Sequence, residues 1–286
     1  MTFERFPGRF ALEGRLRAVT ALHVGAGRAL SPVATDRPVV RDALDQPFIP
    51  GSSLKGLLRG EVERLVRAVR PARACNPVGR DGERCVPRGP REPVQRTAAA
   101  GERTDQVGNG ERPAVTRASL DDLCWVCRLF GSPWMASRVQ VADLPVRAAT
   151  WLGQLEVRDG VPVDRDTGTA RSALKHDREV VPPGVEFECR LRADTDDPRL
   201  LGMLALGLQQ LEAGRLALGG ARSRGLGRVE LLVERRTLVR RDAESLLGYL
   251  TAPEAGGVPV DAGTVSEWAT AFLDCLRADA LPEEPS

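Results

Sequence analysis

The chain has 286 residues, 28% of them charged, and a formal net charge of only +2. This length allows one sizeable core with an inserted subdomain, and no apolar run resembles a secretory signal or is long enough to cross a bilayer. We therefore expect a cytoplasmic protein. Aromatic residues make up 4% of the chain, which argues against extensive base stacking and leaves phosphate and sugar contacts for any nucleic acid.

The first predicted elements are a strand and a helix. Apolar and polar residues alternate over residues 8–24, which is typical of a half-buried strand. A loop rich in Gly, Pro and Asp follows over residues 25–48. Ser52 or Ser53 can then cap a helix whose apolar residues keep helical spacing, and this helix should end near Arg70.

Residues 71–118 are rich in Pro, Gly and Arg and show no hydrophobic periodicity, so they indicate an insertion without a core of its own. The insertion contains Cys75 and Cys85, and Cys124 and Cys127 form a CxxC pair just after it. Four thiolates could close a tetrahedral Zn²⁺ site, and the metal would supply folding free energy to this segment. A redox CxxC and unliganded thiols remain the alternatives.

The remaining elements complete an alternating pattern. A strand over 138–146, a polar hairpin over about 158–183 and a strand over 185–191 precede a helix that Asp197 caps, and a final strand begins at Val229. The order strand, helix, strand, strand, helix, strand predicts an α+β fold with an RRM-like, ferredoxin-like βαββαβ core. The corresponding boundaries are 1–70 for the first part of the core, 71–130 for the cysteine insertion, 131–240 for the remainder with the hairpin, and 241–286 for a helical extension.

Two segments have the composition of a phosphate-binding surface. Residues 218–228 interleave four glycines with three arginines; glycine permits close backbone approach and arginine supplies forked donors. Residues 51–56 place two serines and Lys55 at a helix start, where free N–H groups bind anions. The alternatives are a hairpin turn with solvated arginines for the first segment and an ordinary serine cap for the second.

The loop before the first helix carries Asp36 and Asp42. An exposed loop aspartate is usually a turn former, although carboxylates can also hold Mg²⁺ against a substrate phosphate. His23 and His176 are the only histidines in the chain. Either could act as a general acid or base, and a structural role is the simpler interpretation.

Several separated motifs together resemble one family. These are Phe48-Ile49-Pro50-Gly51-Ser52-Ser53-Leu54-Lys55-Gly56-Leu57-Leu58-Arg59, Cys124-x-x-Cys127-Arg128-Leu129-Phe130-Gly131, the stretches 163–170 and 177–184, and the glycine-arginine loop 219–227. Their order and types are similar to those of the RAMP superfamily, and most of all to Csm/Cmr-type backbone subunits of type III CRISPR effector complexes. The resemblance extends to about residue 235, and the tail after Arg240 matches nothing comparable.

The resemblance implies a subunit that stacks with copies of itself and with other type III subunits along a CRISPR guide RNA, with no membrane partner. It implies that the 158–183 hairpin acts as a thumb between bases of the guide–target duplex. It implies that Asp36, with Mg²⁺ or Mn²⁺, cleaves single-stranded target RNA, and that Cys75, Cys85, Cys124 and Cys127 hold a structural Zn²⁺. The implied RNA-binding residues are Ser52, Ser53, Lys55, Arg59, Gly220, Arg222, Arg224, Gly225 and Gly227.

Other functions fit parts of the sequence. A non-catalytic scaffold or capping RAMP subunit would use Asp36 only as a turn residue. A guide-processing endoribonuclease would use His23 as general base, although such proteins carry two RRM-like halves and this sequence indicates one. An RNA-binding module of unrelated function, held together by zinc, is the third alternative.

Overall fold

The computed structural model describes residues 6–27, 35–77, 85, 123–132, 135–170, 176–252 and 257–278. Most of the predicted insertion, residues 78–84 and 86–122, lies outside the described residues.

The main sheet is antiparallel and has the first strand at its centre. Its strands are β1 (Arg9–Ala18), β3 (Val139–Val141), β7 (Glu186–Ala193), β9 (Arg228–Val239) and β10 (Val258–Pro259), in the order β10-β9-β1-β7-β3, and β8 (Leu216–Ala217) also pairs with β9. Buried and half-buried residues alternate along β1, because successive side chains of a strand point to opposite faces. Phe10, Leu12 and Leu16 face the core on one side.

Helices cover the apolar face of this sheet. They are α1 (Gly51–Val69), α2 (Trp125–Phe130), α3 (Pro198–Glu212) and α5 (Ala262–Ala278), whereas α4 (Ala243–Thr251) buries no residue. The α3 helix packs so tightly on α5 that a Cβ at Gly202 would lie 1.9 Å from the carbonyl oxygen of Trp268. Asp197 caps α3 as predicted, since its side chain accepts a hydrogen bond from the backbone N–H of Arg199.

Two small ribbons lie beside the main sheet. In one, β2 (Phe48–Ile49) pairs with β4 (Leu144–Pro145); in the other, β5 (Glu156–Gly160) pairs with β6 (His176–Val180). The strand predicted over 138–146 is therefore two short strands, β3 and β4, in different sheets. The β5–β6 pair occupies the predicted hairpin, and we call it the thumb hairpin.

The predicted mixed α/β fold is confirmed, and its main sheet is antiparallel. The structure adds α2 and the short strands β2, β4, β8 and β10 to the predicted elements. The predicted serine cap of α1 is wrong. Pro50 is the capping residue and offers no side-chain hydrogen bond. Instead, the carboxylate of Asp143 accepts a hydrogen bond from Gly51 N at 2.8 Å, so a neighbouring loop satisfies the helix start. None of the helices in the described part of the chain is long and apolar enough to cross a membrane.

Candidate nucleic-acid interface

Strand β6 lies between the two loops that the sequence singles out. Residues 177 and 179 point to the loop of Asp36, whereas residues 176, 178 and 180 point to the glycine-arginine loop, because side chains alternate along a strand. One short strand thus supports both candidate sites.

Glu179 holds the Asp36 loop against β6. Its carboxylate accepts hydrogen bonds from Val39 N at 3.0 Å, Arg41 Nη2 at 2.8 Å and Thr35 Oγ1 at 3.1 Å. Its backbone N–H also donates to the carbonyl oxygen of Arg37 at 3.1 Å. A carboxylate with donors on both oxygens fixes the loop on both sides of Asp36. Sequence analysis assigned no role to Glu179.

Asp36 itself is exposed and adjoins a second carboxylate. Its backbone N–H donates to Asp177 Oδ1 at 2.6 Å, and the backbone N–H of Asp177 donates to Asp36 Oδ2 at 3.2 Å. Each aspartate therefore fixes the backbone of the other. Mg²⁺ is commonly held by one or two carboxylates together with substrate phosphates, and this pair offers that ligand set at an open surface. The role of Asp177 was also missed from the sequence.

His23 connects the two loops. Its Nδ1 lies 2.8 Å from the carbonyl oxygen of Glu179, so Nδ1 carries the proton that it donates. Its own carbonyl accepts a hydrogen bond from Gly220 N at 2.9 Å. Burial lowers the pKa of His23, and the nearby charges of Arg178 and Arg37 lower it further. A neutral, buried imidazole is suited to positioning these segments.

The glycine-arginine loop is shaped by contact with its own chain. A Cβ at Gly219 would lie 2.2 Å from the carbonyl oxygen of His23, and one at Gly227 would lie 2.1 Å from that of Leu218. Both glycines also have positive φ, 82° and 87°, which other residues rarely adopt. These glycines therefore serve the loop's own packing, whereas sequence analysis took them as room for a ligand.

The outer part of this loop carries the predicted arginines. Arg222 and Arg224 lie in one exposed 3-10 turn. The following residue, Gly225, has open space around the position of a Cβ. Arg224 Nη1 lies 3.5 Å from Nε2 of His176 on β6, and Ala21, Val180 and Leu226 form a small apolar cluster beneath. The turn thus presents its cations over the 176–180 strand.

The predicted helix-start residues form a separate surface. Ser52 is exposed, and Ser53 and Lys55 are half-buried. Burial lowers the pKa of Lys55, and the charge of Arg59 lowers it further. Among the described residues, no hydrogen bond or ion pair joins this helix start to the glycine-arginine loop.

Arg59 does not lie on an open surface. Its Nε donates to Glu63 at 2.7 Å, its Nη1 to the carbonyl oxygen of Gly131 at 2.9 Å and its Nη2 to Cys127 Sγ at 3.4 Å. Each of the three nitrogens thus has a protein acceptor, and the geometry places the Arg59 guanidinium against the cysteine cluster. The spacing of Arg59 in its helix gave no signal of this.

The four predicted cysteines come together. The Sγ atoms of Cys75, Cys85, Cys124 and Cys127 lie within 4.8 Å of one another. Cys75 and Cys127 Sγ are 3.4 Å apart, too far for a disulfide at about 2.05 Å. With Zn–S bonds of about 2.3 Å, the sulfurs of a tetrahedral site are about 3.8 Å apart. The cluster could therefore hold a metal such as zinc.

Crowding couples the ionisation of these thiols. Hydrogen bonds from Cys124 and Cys127 lower the pKa of Cys85 to about 4, whereas contact with Cys124 and Cys85 raises the pKa of Cys127. The Cys85 thiol therefore ionises readily, whereas Cys127 resists a second negative charge beside it. A divalent cation removes this repulsion, because it stabilises several thiolates at once.

The thumb hairpin has an exposed apolar surface. Val157, Val161 and Val163 are all exposed, the last by 61%. At the tip, Asp164 Oδ1 accepts hydrogen bonds from the backbone N–H groups of Asp166 and Thr167, and these bonds close a turn.

The open face of the main sheet is covered by ion pairs. Neighbouring strands pair Arg15 with Glu186 and Glu234, Arg17 with Glu230, and Arg235 with Glu13. Charges of both signs therefore satisfy one another on this face, and the described part of it offers no aromatic platform for bases.

Comparison with known proteins identifies the family of the chain. The family model of the RAMP superfamily matches residues 15–230, well over half of the chain, so the chain belongs to the RAMP superfamily. The matched range contains β1, β6, the Asp36 loop and the glycine-arginine loop.

Shorter matches point to one group of curated proteins. The chain is 43% identical over 58 residues to the CRISPR system Cms endoribonuclease Csm3 of Methanocaldococcus jannaschii, which covers 20% of this chain and 23% of that protein. The protein of the same name from Mycobacterium tuberculosis is 45% identical over 58 residues, or 20% of this chain and 25% of that protein. The one from Methanothermobacter thermautotrophicus is 34% identical over 61 residues, or 21% and 25%. The chain therefore matches about a quarter of the length of these relatives.

Proposed function

We propose that this RAMP protein is a backbone subunit of a type III CRISPR complex that binds guide RNA and cleaves complementary target RNA at Asp36. The proposal includes an RRM-like core, stacking with further copies of the chain and contact with other type III subunits. It is supported by membership of the RAMP superfamily and by short matches to proteins named endoribonucleases. The boundaries 1–70, 71–130, 131–240 and 241–286 and a cytoplasmic location are parts of the same proposal.

The observation that carries the proposal is the exposed Asp36 carboxylate on a fixed loop. Glu179 and Asp177 hold this loop to β6 through hydrogen bonds to Val39 N and Asp36 N. Catalysis requires reacting groups held in place before the substrate arrives. A loop fixed by these hydrogen bonds satisfies that requirement, whereas a freely solvated turn residue does not.

The reaction that fits is attack by a ribose 2′-hydroxyl on the adjacent phosphorus. The 2′-oxygen forms a new P–O bond, the P–O5′ bond breaks, the 2′-hydroxyl proton passes to solvent and O5′ takes up a proton. A Mg²⁺ or Mn²⁺ ion held by Asp36 and Asp177 would neutralise the charge that develops on the phosphate. Asp36 and Asp177 would supply the negative ligands, and Glu179 holds the Asp36 loop against β6.

RNA would be held chiefly through its backbone. The exposed Arg222 and Arg224 offer forked donors to phosphate, with Gly220, Gly225 and Gly227 in the same loop. Ser52, Ser53 and Lys55 at the start of α1 provide a second contact, and the apolar thumb hairpin would separate bases of the guide–target duplex. Zn²⁺ at the four cysteines would hold the insertion.

The direct test is cleavage by the assembled, guide-loaded complex. Asp36→Asn should abolish cleavage at regularly spaced sites while target binding stays within twofold of the wild type. Asp274→Asn, an equal change in an exposed ion pair with Arg277 on α5, is the matched control and should cleave normally. Unchanged cleavage by Asp36→Asn would refute the catalytic assignment.

One observation favours a second candidate function, a non-catalytic RNA-binding scaffold or capping subunit. Oδ2 of Asp36 already accepts a hydrogen bond from Asp177 N, as the carboxylate of a turn residue does. The two functions differ in the wild-type complex, because a scaffold binds matching RNA and never cuts it at any Mg²⁺ or Mn²⁺ concentration.

A further inference from the structure

The strongest unexplained feature of the described structure is a buried arginine. Arg178, on β6, is 7% exposed, and its Nε has no hydrogen-bond partner in the described part of the chain. Charged side chains are rarely buried without a partner, because losing water costs free energy that only a hydrogen bond or counter-charge returns. Such a group calls for an explanation, and an absent anionic ligand is one.

The neighbours of Arg178 increase this cost. Arg37 pairs with it through a parallel backbone bridge. Arg224, in the glycine-arginine loop, contacts His176, which lies two residues from Arg178 on the same side of β6. Burial lowers the pKa of Arg178, and the charges of Arg37 and Arg224 lower it further. We call these three residues the arginine cluster.

The adjacent acidic residues do not neutralise the cluster. Asp177 and Glu179 flank Arg178 in sequence but point to the opposite side of β6, where their carboxylates accept hydrogen bonds from the Asp36 loop. Like charges are therefore held together on one side of the strand and the acidic groups on the other. Such an arrangement adds nothing to the stability of the protein. An anion bound between the arginines would offset their repulsion.

The geometry points to a phosphodiester-binding site formed by Arg37, Arg178 and Arg224 beside Asp36. We propose that this site holds a phosphate of the target strand next to the one at which Asp36 acts, on the other side of β6 from the Asp36 and Asp177 carboxylates. Guanidinium groups match the paired oxygens of phosphate, and Arg37 is the residue next to Asp36 in the fixed loop. This inference rests on the proposed function, since it names the residues that position the substrate.

The test compares Arg178→Gln with Arg190→Gln, a matched control whose side chain is 71% exposed on β7. Guide-loaded complexes are given a target RNA with 2′-deoxy residues at the cleavage sites, so that binding is measured without turnover. In Arg178→Gln the slope of log K against log salt should fall by about 0.7–0.9, the value for one lost phosphate contact. Single-turnover cleavage of the all-ribose target should fall about 10²-fold, because the reacting phosphate is positioned less precisely. Arg190→Gln should change neither.

Arg224→Gln repeats the test at an exposed residue, so that a folding defect in Arg178→Gln cannot decide the outcome. Unchanged salt slope and cleavage in both variants would overturn the site. Loss of guide RNA from the purified complex, with target effects following from it, would support a phosphodiester site but assign it to the guide strand.

The same experiment separates this inference from the proposed function. A complex that never cleaves, but whose salt slope falls in Arg178→Gln and Arg224→Gln, would refute the activity and support the site. A complex that cleaves in an Asp36-dependent manner, with both arginine variants behaving as the wild type, would refute the site and support the activity.

Discussion

Asp36 and Asp177, 141 residues apart in the chain, each accept a hydrogen bond from the backbone N–H of the other. The exchange places two carboxylates side by side at the edge of β6 and fixes the backbone of both. In each aspartate, one carboxylate oxygen accepts the backbone hydrogen bond of the other. The second oxygen has no hydrogen bond within the described part of the chain, so it can bind an external ligand.

Asp177→Asn tests whether both carboxylates hold the divalent ion. Asparagine keeps an oxygen for the N–H of Asp36 but removes the charge, so the loop should remain in place while the ion binds more weakly. We expect cleavage to fall about 10–100-fold at low Mg²⁺, as for loss of one interaction with the metal, and to recover partly as Mg²⁺ is raised. Cleavage equal to the wild type across the Mg²⁺ titration would show that Asp177 has no part in binding the ion.

Glu179→Ala tests the support of the loop. The substitution removes the acceptor of Val39 N, Arg41 and Thr35, so residues 35–41 should loosen. Hydrogen exchange at Val39 N should become faster, and cleavage should fall while guide RNA is retained. Glu188→Ala, on the neighbouring β7 strand with a half-exposed side chain, should leave both measurements as in the wild type. Normal cleavage with a protected Val39 amide would contradict the assigned role.

The cysteine cluster should bind one divalent metal per chain. Co²⁺ substitution should give the thiolate charge-transfer absorption of a four-cysteine site, and Cys127→Ser should lose it. Cys275→Ser, a change at a half-buried cysteine outside the cluster, should keep it. Chelation should lower the Tm, because structural zinc contributes to folding. A metal-free protein with an unchanged Tm would contradict this prediction.

Arg59→Gln should weaken that metal site without removing it. Arg59 Nη2 donates to Cys127 Sγ, and a buried cation offsets the negative charge of a thiolate cluster. Outer partners of this kind typically change metal affinity about 10–100-fold. Competition with a chelator measures the change, with Arg64→Gln, an exposed arginine on the same helix, as control. Equal metal affinity in Arg59→Gln and the control would disprove this role.

The lowered pKa of His23 should make stability depend on pH. In the pH interval between the folded-state pKa and about 6.5, the unfolded chain binds a proton that the folded chain does not, so stability rises with pH there and falls as the pH drops below about 6.5. His23→Asn preserves a donor for the carbonyl oxygen of Glu179 and should lose part of this dependence. Carboxylates contribute equally to both proteins, so the difference in Tm between pH 7.5 and 5.5 isolates His23. Parallel Tm curves would contradict the prediction.

Local sequence patterns were sufficient for most of the fold. The alternation in β1, the Asp197 cap of α3 and the turn at 164–168 each depend on residues close in sequence, so they could be predicted without the structure. The start of α1 could not, because Asp143 satisfies it from a distant loop. The same limit applies to the strand over 138–146, which divides because part of it pairs with β2.

The candidate site was predicted only in part for the same reason. Asp36 and the arginines of the glycine-arginine loop stand in recognisable motifs. Asp177, Arg178 and Glu179 acquire their roles only when β6 lies between two loops that are far away in sequence. Arg59 is of a residue type that binds phosphate, but three of its N–H donors bond to Glu63, Gly131 and Cys127. Contacts between distant segments therefore decide which cations remain available for RNA.

The central claim is that β6 brings the Asp36 carboxylate and the arginine cluster to neighbouring phosphates of one target RNA strand. A cryo-EM map of the assembled particle with guide RNA, a 2′-deoxy target and Mg²⁺ tests it most directly. The account predicts one target phosphate within hydrogen-bond distance of Arg178 and a divalent ion between the next phosphate and Asp36. RNA bound only to the ion-paired face of the main sheet, with Arg178 and Asp36 contacting no nucleotide, would contradict it.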